Sequence, residues 1–191
     1  MTHQVYAFEP PERFVAGTVG EPGDRVFYLQ ARGGGRVVSV ALEKVQVSLL
    51  AEKLDELLGE AHRRFGLVLP EPDAVTPDNE PLDTPVDEEF RVGTLGLQFD
   101  VDTATVVIEA IAVGEGEVPE PVEPDEDEDE DLEAGTAVLD RLRVRLTPTA
   151  TRDFIERAKR VLSAGRPPCP LCGQPLDPKG HLCPRHNGYH R

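Results

Sequence analysis

Residues 26–66 read VFYLQARGGGRVVSVALEKVQVSLLAEKLDELLGEAHRRFG, and the change of period inside this stretch decides the fold class. Up to Leu42 apolar and polar positions alternate, which predicts half-buried strands over Val26 to Ala31 and Val37 to Leu42. Gly33, Gly34 and Gly35 predict the hairpin turn between them, because glycine accepts the positive φ such turns require. From Glu43 to Arg64 the period becomes helical, with Val47, Leu50, Leu54, Leu57 and Leu58 on one stripe, and Gly66 ends the helix. A hairpin that runs into an amphipathic helix belongs to an α+β chain.

The same grammar extends in both directions. Strand patterns precede the stretch at Gln4 to Phe8 and Phe14 to Val19, and follow it at Gly93 to Val101 and Thr105 to Val113. A further strand is predicted over Val138 to Leu146, where Leu142, Val144 and Leu146 alternate with Arg141, Arg143 and Arg145; the apolar face should be buried and the arginine face wet. Thr147 and Pro148 open a second helix with Phe154, Ile155, Ala158, Val161 and Leu162 inward, closed by Gly165. Strands then helix, twice over, predicts a mainly antiparallel sheet with helices on one face. FVAGTVG at 14–20 matches FRVGTLG at 90–96, and the passages Val40 to Glu43 and Val144 to Thr147 share their apolar spacing, which suggests an internal duplication. Residues 1–164 therefore form the α+β domain and 165–191 a small appendage.

The formal charge of −16 is unevenly placed. Residues 70–89 carry eight acids, no base and five prolines, and 115–133 carry twelve acids and no base, including the run Asp125 to Asp131. Both read as exposed, solvated connections, since proline removes backbone donors and like charges repel. Without them 16 acids face 20 bases, a slightly basic scaffold. The last 51 residues hold eleven bases against Asp153, Glu156 and Asp177. No apolar run is long enough to predict a membrane span, and MTHQVYAFEPPERF lacks the basic and apolar regions of a secretory signal, so a cytoplasmic location is the expectation.

All three cysteines lie near the end of the chain, in PPCPLCGQPLDPKGHLCPRHNGYHR at 167–191. C-P-x-C-G is a zinc-knuckle sequence: thiolates two residues apart reach one metal, and glycine lets the backbone turn beneath the sulfurs. Cys183 and His186 repeat the spacing. Cys169, Cys172, Cys183 and one imidazole would suit structural Zn²⁺, which takes tetrahedral S and N donors and then leaves no position for substrate. His186 matches the knuckle spacing for the fourth ligand, while His181, two residues before Cys183, would point to the same side of an extended segment. So short and proline-rich a segment has little core of its own, and metal binding should supply most of its folding energy.

FVAGTVGEPG at 14–23, FYLQA at 27–31 and the ending GRPPCPLCG through NGY at 187–189 resemble an uncharacterised actinobacterial family, domain of unknown function 3090, over nearly the whole chain except the acidic loops. The family's tail pattern, G-H-x-C-P-R-x-N-G-Y, falls on Gly180 to Tyr189, and the resemblance implies that the constant histidine is His181. It implies no activity. Gene neighbours that resemble a phosphoglycerate-mutase-like phosphatase and a lipid kinase hint at a shared pathway without assigning chemistry.

The chain has no G-x-x-x-x-G-K-[ST] loop, G-x-S-x-G elbow or H-E-x-x-H helix. The leading expectation is a non-enzymatic accessory protein whose body and zinc tail meet a protein partner. A second is nucleic-acid binding through the basic C-terminal third, driven by phosphate neutralisation. A third is an enzyme or ligand-binding subunit for a phosphorylated or anionic metabolite, held by Arg141, Arg143, Arg145, Arg152, Arg157 or Arg166, since guanidinium forks suit phosphate.

Overall fold

The computed structural model describes residues 3–69, 78–114, 139–165, 169–172, 176 and 183. The elements are β1 (Val5–Phe8), β2 (Arg13–Val19), β3 (Val26–Gly33), β4 (Arg36–Leu42), α1 (Lys44–Phe65), β5 (Glu88–Asp100), β6 (Thr105–Ala112), β7 (Arg141–Leu146) and α2 (Pro148–Ser163). Gly34 and Gly35, at φ 58° and 73°, make the two-residue turn between β3 and β4. The Glu43 amide donates to Gln46 Oε1 at 2.8 Å to start α1, and Gly66, at φ 68°, ends it. Thr147 Oγ1 accepts from the Ala150 amide to start α2.

The sheet is mixed, in the order β1-β7-β6-β5-β4-β3-β2. β2, β3 and β4 form one antiparallel meander and β5, β6 and β7 another; β4 joins β5 in parallel, and β1 joins β7 in parallel. Each meander is followed by a helix.

The sheet is also rolled, because its two edge strands are consecutive in sequence. From Phe8 to Arg13 the chain covers at most about 18 Å in five steps, whereas a flat seven-stranded sheet separates its edges by about 29 Å. Rolling closes the gap: Phe8 on β1 lies so near β3 that a Cβ on Gly33 would sit 3.2 Å from its ring. The inner face meets both helices in one apolar core. Phe14 of β2 stacks on Phe154 of α2 at 4.8 Å between ring centroids, and Phe99 of β5 stacks on Phe65 of α1 at 6.0 Å.

β5 begins five residues before the expected Gly93 and contains a bulge between Val92 and Thr94. Phe90 and Val92 face the core before it; Leu95, Leu97 and Phe99 pack against the core after it. An extra residue is what lets even and odd positions share one face. Gly93 sits at this point because a Cβ there would come within 3.0 Å of the Val113 backbone.

Part of the first acidic loop is not an open connection. Asp78 to Asp83 forms a strap that starts beside the β2 edge, where Arg157 links Asp78 and Glu80 to Ala16, and crosses the outer face of β2 and β3; Leu82 is buried where a Cβ on Gly17 would come within 2.6 Å of it. The Gln30 side-chain amide pairs with the backbone of Asp83, donating to its carbonyl at 3.0 Å and accepting from its amide at 2.7 Å. Two of the acids that predicted solvation, Asp78 and Asp83, are bound by arginines instead, and residues 70–77 and the second acidic loop, 115–133, lie outside the described residues.

Candidate metal centre and arginine network

α2 ends at Ser163, two residues before the expected glycine. Arg25, the last residue of the β2–β3 turn, donates to the carbonyls of Ala164 at 3.1 Å and Val161 at 3.4 Å, satisfying carbonyls that a helix end leaves open. The cysteine segment follows immediately. Cys169, Cys172 and Cys183 bring their Sγ atoms within 4.8 Å of one another, with Cys169 Sγ and Cys183 Sγ 3.9 Å apart. Cys169 and Cys183 are buried and Cys172 is half-buried. This is close enough for three sulfurs to share one metal ion, and too far for a disulfide, whose sulfurs lie about 2.05 Å apart. Backbone amides of Cys172 and Leu171, turned toward its sulfur, hold the Cys169 thiol down at about 6. His181 and His186 lie outside the described residues, as does Arg166.

The arginines do not converge on one site. Arg141, Arg143 and Arg145 stand on the outer face of β7, whereas Arg152 and Arg157 belong to α2. On β7 the arginines are half-buried rather than wet, because neighbouring strands supply acids: Arg143 Nε lies 3.0 Å from Glu9 and 3.7 Å from Glu109. Arg145 donates to Asp100 at 2.7 Å, and with the Thr103 contacts this holds the Asp100 carboxyl down at about 2. Arg141 Nε is buried with no hydrogen-bond partner among the described residues. Arg152 pairs with Asp55 of α1 at 2.9 Å, a tie between the two helices.

Arg157 is buried, and each of its nitrogens is taken. Nε donates to the Ala16 carbonyl at 2.9 Å, Nη1 to the carbonyl and carboxylate of Asp78, and Nη2 to the Glu80 carbonyl at 2.8 Å. Arg13 grips the same strap from β2, with Nε 2.7 Å from Asp78 Oδ2, Nη2 on Asp78 Oδ1 and Nη1 on Asp83. These guanidiniums hold the Asp78 carboxyl below the usual carboxylate range, Arg13 foremost. Arg32 binds Asp83 at 2.9 Å and Arg160 binds Asn79 at 2.7 Å. Sequence reading missed Arg13, Arg25, Gln30 and Arg32, since their partners in the strap and at the end of α2 lie 51 to 139 positions away. The only sequence signal was a base-free run of acids beside a basic scaffold.

No helix among the described residues is long and apolar enough to cross a membrane. Neither a curated protein nor a solved structure matches the chain. A family described as protein of unknown function (DUF3090) matches residues 6–183, from the first strand through the last cysteine of the metal-ready cluster, and the chain belongs to that family.

Proposed function

We propose that the protein is a zinc-binding accessory protein, in which Cys169, Cys172, Cys183 and one histidine hold a structural Zn²⁺ that folds the tail into a surface for a protein partner. The observation that carries this reading is the sulfur geometry. A tetrahedron with metal–sulfur bonds of about 2.3 Å has sulfur–sulfur edges of about 3.8 Å, and Cys169 and Cys183 stand 3.9 Å apart. Three thiolates favour zinc over the hard oxygen-seeking cations. A fourth protein ligand would close the coordination sphere, which suits a structural metal rather than a catalytic one. His186 by spacing and His181 by family pattern are the two donors to separate. The engagement of Arg143, Arg145, Arg152 and Arg157 by carboxylates supports a structural use of the basic third over phosphate capture. The repeated order of three strands and a helix, with Gly17 and Gly93 each in the first strand of its set, supports an internal duplication.

Metal analysis of the purified chain tests the first part. One zinc per chain is expected, lost in Cys169→Ser and in only one of His181→Ala and His186→Ala; a metal-free chain, or zinc retained without Cys169, would overturn it. Affinity purification at native expression tests the second. A reproducible partner that the Cys183→Ser chain fails to hold is expected, and its absence removes the accessory role while leaving the metal site standing.

A further inference from the structure

The chain holds its oxidisable sulfur in one place. It has three cysteines, one methionine, Met1, and no tryptophan. The three cysteines are the metal-ready cluster itself, and none belongs to the apolar core of the sheet and helices. A peroxide that meets this protein therefore finds thiols only in that cluster, and thiolates are the sulfur species that it oxidises most readily.

The same sulfurs can serve two bonding arrangements. Cysteines that hold a metal are deprotonated, and the thiolate is the nucleophile. Cys169 Sγ and Cys183 Sγ stand 3.9 Å apart, 14 positions apart in sequence. That spacing suits one edge of a coordination tetrahedron, and an approach of about 1.9 Å would turn it into a disulfide. Once these two sulfurs are joined, Cys172 and one histidine remain, half of the four donors that a structural zinc site takes. Metal and disulfide therefore exclude each other.

We propose that the cluster is a peroxide-responsive switch, in which a disulfide between Cys169 and Cys183 displaces the metal and unfolds the surface offered to a partner. This rests on the metal reading above and adds its regulation. One thiolate of the pair attacks peroxide: an S–O bond forms, the O–O bond breaks, and hydroxide leaves and takes up a proton to become water. The sulfur, now a sulfenic acid, has lost two electrons and the peroxide has gained them. The second thiolate attacks that sulfur, the S–S bond forms, the S–O bond breaks, and a second hydroxide leaves and is protonated to water. Each peroxide thus makes one disulfide and frees one metal ion. A dithiol reductant reverses the change by thiol–disulfide exchange and returns both sulfurs to the metal site.

Hydrogen peroxide titrated into the full zinc-loaded chain tests the proposal, with freed zinc followed by a chromogenic chelator and the cysteines mapped by mass spectrometry. About one zinc should be released per peroxide consumed, as the two-electron balance requires. Trypsin cuts after Lys179, so a bond from Cys169 to Cys183 joins two peptides, while one from Cys169 to Cys172 stays within a single peptide. The joined peptides should appear in step with zinc release, Cys172 should stay open to alkylation, and dithiothreitol with added zinc should restore the starting state. Zinc kept while peroxide is consumed, sulfinic acid without a disulfide, a bond that includes Cys172, or a bond between chains would each overturn it. A chain free of zinc before peroxide is added sinks the metal reading itself, whereas zinc present at the start and retained sinks only the switch.

Discussion

Arg157 of α2 donates its Nε to the carbonyl oxygen of Ala16 at 2.9 Å, so a helix side chain occupies an edge position of β2 that no neighbouring strand fills. The strap, held by the same guanidinium, covers more of that edge. Exposed edge strands invite pairing with other chains, and charged side chains or a covering loop are common protections. The described part of the acidic connection, Asp78 to Asp83, thus shields the sheet although Leu82 is its one buried apolar side chain.

Arg157→Ala should therefore destabilise the body by about 2–3 kcal/mol, the worth of buried charge-assisted hydrogen bonds. Arg152→Ala, which breaks a partly exposed pair with Asp55, should cost about 1 kcal/mol or less. Urea unfolding of the two variants checks the contrast, and equal losses would contradict the assignment of Arg157 to the edge.

Gly17 is fixed by Leu82. Gly17→Val should destabilise by about 1–3 kcal/mol through overpacking, because even a Cβ would come within 2.6 Å of the leucine. Combining it with Leu82→Ala should cost less than the sum of the single changes. An additive double-mutant cycle would mean that the strap does not pack on β2.

Acid should weaken the fold through Asp78 and Asp100. Both carboxyls titrate below their unfolded value near 3.8 in the folded chain, Asp100 at about 2. Their contribution is therefore complete above about pH 4 and is lost as pH falls through the folded values. Unfolding free energy measured from pH 7 to pH 2 should fall steeply at the acid end. The Asp78→Asn and Asp100→Asn chains should start lower at neutral pH and show a shallower acid slope.

Stripping the metal should act on the tail rather than the body. None of the three cysteines belongs to the apolar core of the sheet and helices. With a strong chelator, or in Cys183→Ser, protease should cut within 166–191 while the far-ultraviolet spectrum of the body is retained. Collapse of the whole spectrum would show that the body depends on the metal.

Much of the element order was legible from local patterning. The period change at Glu43, the glycine turn and the alternating Leu142, Val144 and Leu146 each predict what the fold contains, because strand and helix periodicity are local properties of which face meets the core. The bulge in β5 was hidden. Its cause is the close approach of Val113 to Gly93, twenty residues away. The same holds for the strap, whose acids read as solvated until Arg13, Arg32 and Arg157 are brought beside them.

The sequence by itself determined the α+β class, the helix boundaries to within a residue or two, and a cysteine spacing able to share a metal, because these rest on contacts within a few residues. Only the tertiary structure decided that the sheet rolls until its first two strands become its opposite edges, that the acidic connection becomes an edge cover, and that most candidate arginines are spent on carboxylates. Those outcomes depend on which distant charges meet once apolar faces have closed on one core, and local periodicity carries no record of such partners.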